Sequence, residues 1–175
     1  LLKQATKGTF MSSRIFGLLV TAVCVTAFTL EGGCAPATPE SMTPPLQRVA
    51  RTQSGTVWVT AIGGADTNDF WDAEIGTVEF AKAVENSIEK SGVLESVSRN
   101  GSGEYHLEAN LRATDMRGSD VKFKILVSWK LSRSSDHRLV WEADIVGTDS
   151  DKMANAAQDN ISQAIQSLEA AIPLR

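Results

Sequence analysis

Residues 105–145 read YHLEANLRATDMRGSDVKFKILVSWKLSRSSDHRLVWEADI. Three alternating runs lie in this stretch. Tyr105, Leu107, Ala109, Leu111 and Ala113 share one side of the first, and Val121, Phe123, Ile125, Val127, Trp129 and Leu131 one side of the second. Leu139, Trp141, Ala143 and Ile145 do the same in the third. A period of two puts alternate side chains on opposite faces of a strand. Arg117-Gly118-Ser119-Asp120 and Ser134-Ser135-Asp136-His137 supply reversals between the runs, so an antiparallel meander with one apolar face is expected. The other face carries His106, Glu108, Asn110 and Arg112, then Lys122, Lys124, Ser128 and Lys130, then Glu142 and Asp144. Lysines on a middle strand between carboxylates on both sides predict cross-strand ion pairs on a solvated face. A basic stripe for a polyanion is the competing reading of Lys122, Lys124 and Lys130, and the acidic neighbours oppose it.

An apolar sheet face needs a cover, and the flanking sequence supplies two helices. Thr77 to Ser91 repeats apolar residues at Phe80, Val84 and Ile88, the helical spacing, and ends at Gly92, where a glycine favours the left-handed closing turn. Lys152 to Ile172 aligns Met153, Ala156, Ala157, Ile161, Ala164, Ile165, Leu168 and Ile172, stops at Pro173, and has capping candidates in Thr148, Asp149, Ser150 and Asp151. Gly55 to Ile62 is rich in β-branched residues and reads as a first strand; Val93 to Ser98 reads as a short one, followed by the turn signal Asn100-Gly101. The expected architecture is therefore an α+β two-layer sandwich. Its sheet is mostly antiparallel, with two helices on one face, in the order β-α-β-β-β-β-α.

Upstream, Arg14 precedes an uncharged apolar run from Ile15 to Leu30, closed by Glu31, Gly32, Gly33 and Cys34. A basic start, a short apolar stretch and small residues before a cleavage point are the order of an export signal. The run is short for a membrane-spanning helix, which needs about 20 apolar residues. Residues 11–33 are thus expected as a signal peptide, with residues 1–10 as an upstream extension of the reading frame. Gly32, Gly33 and Cys34 resemble the end of the bacterial lipoprotein lipobox, which implies lipid attachment at Cys34. Ala35, not being aspartate, implies transfer to the outer membrane. Glu31 stands where that family prefers leucine, so ordinary cleavage to a soluble periplasmic or secreted product is the alternative. Cys24 lies inside the signal, which leaves Cys34 as the single cysteine of the processed chain. Residues 34–53, with four of the five prolines, are expected to be the anchor cysteine and a proline-rich tether, and residues 54–175 a single domain.

The full chain holds 17 basic and 21 acidic residues. Removal of the signal takes Lys3, Lys7 and Arg14 but only Glu31, so the processed chain is more acidic still. No basic run is interleaved with aromatics, which excludes the usual footprint of a nucleic-acid binder. His106 and His137 are the only histidines, and neither stands in a Ser-His-Asp or Cys-His arrangement. Gly63-Gly64 lacks the downstream Gly-Lys-Ser/Thr of a phosphate loop. The richest polar segment, Gly63 to Glu74, begins a calcium-loop alternation at Asp66 and Asn68, but Phe70 and Trp71 break it. No metal or other cofactor is expected, and no enzyme activity.

The stretches 59–71 (VTAIGGADTNDFW), 79–94 (EFAKAVENSIEKSGVL), 105–111 (YHLEANL) and 156–165 (AAQDNISQAI) together resemble a group of small, uncharacterised proteobacterial envelope lipoproteins. That resemblance implies no established activity. The expected function is a non-catalytic protein-binding or assembly module on the periplasmic face of the outer membrane, its oligomeric state left open. Its partner-binding loop would contain Gly63, Gly64, Asp66, Thr67, Asn68 and Trp71, with sheet-face contacts at Lys122, Lys124 and Lys130. A lipid or glycan carrier with a groove between helix and sheet is the alternative, and it requires a cavity of roughly 300 Å³ or more.

Overall fold

The computed structural model describes residues 37–50, 52–64, 75–115 and 123–171. Its elements run α1 (Pro39–Met42), β1 (Gln53–Gly63), α2 (Thr77–Ser91), β2 (Leu94–Val97), β3 (Tyr105–Asp115), β4 (Phe123–Arg133), β5 (Leu139–Asp149) and α3 (Met153–Ala171). The strands form one sheet in the order β2-β1-β3-β4-β5, and α2 and α3 cover one face of it. The α+β sandwich and the succession of strands and helices follow the alternating and helical periods of the sequence. The β3-β4-β5 meander is antiparallel, while β1 pairs in parallel with both β2 and β3. The sheet is therefore mixed. Parallel pairing of β1 with β2 follows from the intervening α2, which returns the chain to the same end before the next strand.

The core lies between the sheet and the two helices. Tyr105, Leu107, Ala109 and Leu111 of β3, and Ile125, Val127, Trp129 and Leu131 of β4, are buried against Phe80, Val84 and Ile88 of α2 and against Ile161, Ala164, Ile165 and Leu168 of α3. Val121 and the turn at 117–120 lie outside the described residues. Leu139, expected on the buried face, is 50% exposed. It follows a register shift between Leu131 and Ser132, which carries the first residue of β5 past the helical cover.

Helix α2 closes as its sequence predicts. Gly92 adopts φ 68°, and its N–H donates to Ile88 O at 2.8 Å, the left-handed cap that a side chain with a Cβ adopts only under strain. At the start of α3, Asp149 Oδ1 accepts from the N–H groups of Asp151 and Lys152 at 2.7 and 2.8 Å. These hydrogen bonds, with the Lys152 contact foremost, hold the Asp149 carboxyl below its ordinary range.

The sequence did not reveal how closely α3 approaches the sheet. Asn160 is fully buried in the apolar stripe of α3. Its Nδ2 donates to Ile145 O at 2.7 Å and to Ile125 O at 3.4 Å, and its Oδ1 accepts from Trp129 Nε1 at 3.0 Å. Gly147 allows that approach: a Cβ there would collide with Ala156 O and stand 2.6 Å from Asn160 N.

The largest departure from the sequence reading concerns the proline-rich stretch. From Ala37 onward it lies on the domain instead of spacing it from anything. Thr38 caps α1 with a reciprocal capping box to Ser41, Pro39 starts the helix, and Met42 is fully buried. Ser41 O accepts from Gln158 Nε2 at 2.6 Å, Val49 N–H donates to Ser91 O at 2.8 Å, and Ala50 N–H donates to Glu169 Oε1 at 3.1 Å. Apolar Met42, Leu46 and Val49 at irregular spacing escape a periodicity search, yet they are enough to hold an irregular segment on a helix pair.

Candidate functional site

The face of the sheet opposite α2 and α3 has no second layer among the described residues. Trp58, Thr60 and Ile62 of β1 stand beside His106, Glu108 and Asn110 of β3 in parallel register. The Trp58 and His106 rings stack with centroids 3.7 Å apart and planes 3° from parallel, and His106 Nε2 lies 2.8 Å from Thr60 Oγ1. Partial burial in this stack lowers the His106 pKa; Glu108 acts in the raising direction, and His137 adds to the lowering. The imidazole is therefore neutral at physiological pH and presents a flat, mostly apolar platform with Trp58.

Across the same face, Lys130 sits in register between Glu108 and Glu142 and reaches Glu142 Oε1 at 4.0 Å. This is the cross-strand pairing expected from the charge alternation. Both partners are about half exposed, so the pair contributes at most about 1 kcal/mol. Lys124 is exposed and stands in register between Asp115 and Thr148. Ser128 donates to Asp144 Oδ1. Exposed Ile62, Val140 and Val146 add apolar area among these polar groups.

Of the expected loop, Gly63 and Gly64 are described, and both have structural reasons to be glycine. Their φ values are 79° and 83°, and a Cβ on Gly63 would collide with Leu111 O. Asp66, Thr67, Asn68 and Trp71 lie outside the described residues, as do Lys122 and Cys34. The structure brings Lys124 and Lys130 to one face with His106, which the alternation of β3 had placed there, and adds Trp58, which sequence reasoning left out. Trp58 stands between Val57 and Val59 in sequence, so a period of two would have put it on the other face, and the parallel register shows which β3 residue it meets.

Among the described residues no three His, Cys, Asp or Glu side chains converge to hold a metal ion. Between α3 and the sheet, beside Trp129, Trp141 and Leu168, only about 10 Å³ of space is left. Among the described residues, two wide-open surface clefts stand out. One, of about 370 Å³, lies between β1 and α2, lined by Thr60 and Ala61, by Val78, Ala81 and Lys82 and by Arg99; it is open to solvent. The other, of about 480 Å³, lies between Pro44-Pro45 and Asp149, Gln158 and Asp159 of the β5–α3 region. Arg99 in the first cleft is clamped by Glu89 at 2.9 Å and Glu85 at 3.4 Å.

No protein-family profile and no curated protein matches the chain. Solved structures do. A point variant of PelC from Paraburkholderia phytofirmans, described as a dodecamer, aligns with a TM-score of 0.51 at 16% identity, over 73% of this chain and 92% of that one. A second PelC dodecamer from the same organism aligns at 0.50 and 17% identity, over 69% and 91%. The likeness is one of fold. A DUF330 protein from Xanthomonas campestris aligns over 73% of this chain and 87% of its own, at 22% identity and a TM-score of 0.49.

Proposed function

We propose that this chain is a non-catalytic lipoprotein of the bacterial envelope, anchored through an acylated Cys34, that works by binding protein, including further copies of itself, on the periplasmic face of the outer membrane. The observation that carries this reading is the uncovered sheet face. A two-layer domain exposes one side of its sheet, and here that side bears a stacked aromatic pair, exposed Ile62 and Val140, and a rim of partnered charges. Aromatic anchors ringed by polar groups are the usual make-up of a protein-binding surface. The dodecameric state of PelC supports self-association of this fold. In sequence, Asp66, Thr67, Asn68 and Trp71 follow directly on Gly63-Gly64 at the end of β1.

The test is photo-crosslinking in cells from residues placed at Lys124 and at Trp71. A discrete adduct from either position, to a second copy or to one envelope protein, is the expected result. Clean negatives at both positions would overturn the reading.

A further inference from the structure

The strap formed by residues 37–50 lies on the helix side of the domain: α1 packs against α2 and α3, and the strap's hydrogen bonds end on Gln158, Ser91 and Glu169 of those helices. Among the described residues its first packed residue is Ala37, only three positions after Cys34. Consecutive Cα atoms are 3.8 Å apart, so the link between those two residues spans at most about 11 Å when fully extended. A free tether of the length expected from sequence would have allowed several nanometres and free rotation. The strap removes that freedom.

We infer that the bilayer surface is the neighbour of the strap side of the helix layer, so that the domain sits close to the lipid headgroups with Thr38 and Ser41 innermost and its uncovered sheet face turned away from the membrane. This rests on the reading of Cys34 as the acylated residue. The sheet face then lies at least one helix diameter, about 10 Å, farther out, where Trp58, His106 and Lys130 meet protein instead of lipid. Short reach sets this placement, with no charge attraction needed. The strap side carries both signs, Glu40, Asp149 and Asp159 beside Arg48 and Lys152, and so offers no basic patch to anionic headgroups.

The experiment starts from the full-length chain expressed in bacteria and purified from the membrane fraction. The mass of the mature N-terminus is read first: a bare Cys34 overturns the anchoring reading alone. Orientation is read separately, in nanodiscs, on the acylated protein or, where the mass shows a free thiol, on protein coupled at Cys34 to a thiol-reactive phospholipid. A headgroup spin label should broaden the amide signals of Thr38, Ser41 and Gln158 several-fold more than those of Lys124, Lys130 and Val140. A Gly-Ser insert of roughly ten residues between Pro36 and Ala37, long enough to free the domain, should abolish the difference without disturbing the folded spectrum. Equal broadening on both faces, the reverse pattern, a difference that survives the insert, or a second copy crosslinked over the strap would each overturn the inference.

Discussion

Two positions decide how α3 meets the sheet. Asn160 satisfies two strand carbonyls and the Trp129 indole from a fully buried position, and Gly147 leaves room for the helix backbone beside it. Replacing Gly147 by Ala forces the helix outward, and overpacking of this kind costs about 1–3 kcal/mol. Asn160→Leu leaves the buried Trp129 N–H without its partner and removes the bonds to Ile125 O and Ile145 O, at about 1–3 kcal/mol for a stranded group. Urea denaturation of each variant should show a lower midpoint with an unchanged slope; a wild-type midpoint for Asn160→Leu would refute the role given to the network. Asn160 was hard to find in the sequence because one polar residue among Ala156, Ala157, Ile161 and Ala164 reads as a break in a stripe, not as its centre. His106 makes a prediction of opposite character, about pH. Its folded pKa is lowered, so the unfolded chain takes up the proton first as pH falls below the ordinary histidine value of about 6.5. The stabilisation is full above that value and is lost as pH falls through the folded pKa. His106→Phe keeps a ring against Trp58 and should flatten the thermal-midpoint profile across that window, while Asp149→Asn should alter only the more acidic limb.

At the scale of elements, periodicity was a good guide wherever a face was buried. The alternation of β3 and β4, the Phe80-Val84-Ile88 face of α2 and the Gly92 closure all follow from it. Parallel pairing of β1 was not legible, because alternation shows which residues share a face and not which strand lies alongside. The strap was illegible for a different reason. Its apolar residues are few and irregular, its prolines match those of a spacer, and its anchoring hydrogen bonds come from α2 and α3, far along the chain. The candidate site divides the same way: the lysine-bearing face could be read from charge alternation, whereas the Trp58–His106 stack needed the parallel register. The strap's contribution can be measured. Met42→Ala removes a fully buried side chain and is expected to destabilise by about 2–5 kcal/mol if the strap unfolds with the domain. Hydrogen exchange at Val49 and Ala50, whose N–H groups bond to Ser91 and Glu169, should accelerate in that variant more than exchange at Leu107 or Val127; uniform acceleration would mean that the strap has no separate opening.

For the whole molecule, the close packing of α3 on the sheet and the sheet face left bare among the described residues favour function at the outer surface. Native mass spectrometry of the detergent-solubilised protein should show a closed assembly of several copies with no lipid retained inside the domain; a strict monomer at micromolar concentration would remove self-association from the proposal. Trp58→Ala and Ile62→Asp, changes on the bare face, should reduce that assembly while leaving the thermal midpoint near wild type, since neither residue belongs to the buried core. The strap also has a mechanical consequence. Tension arriving from a membrane-held Cys34 enters the fold at Ala37 and Met42 and passes into α2 and α3 through Gln158, Ser91 and Glu169. The sheet begins only at Gln53. If Cys34 is membrane-anchored as proposed, a pull on it peels the strap before it loads any strand, and the sheet face keeps its shape.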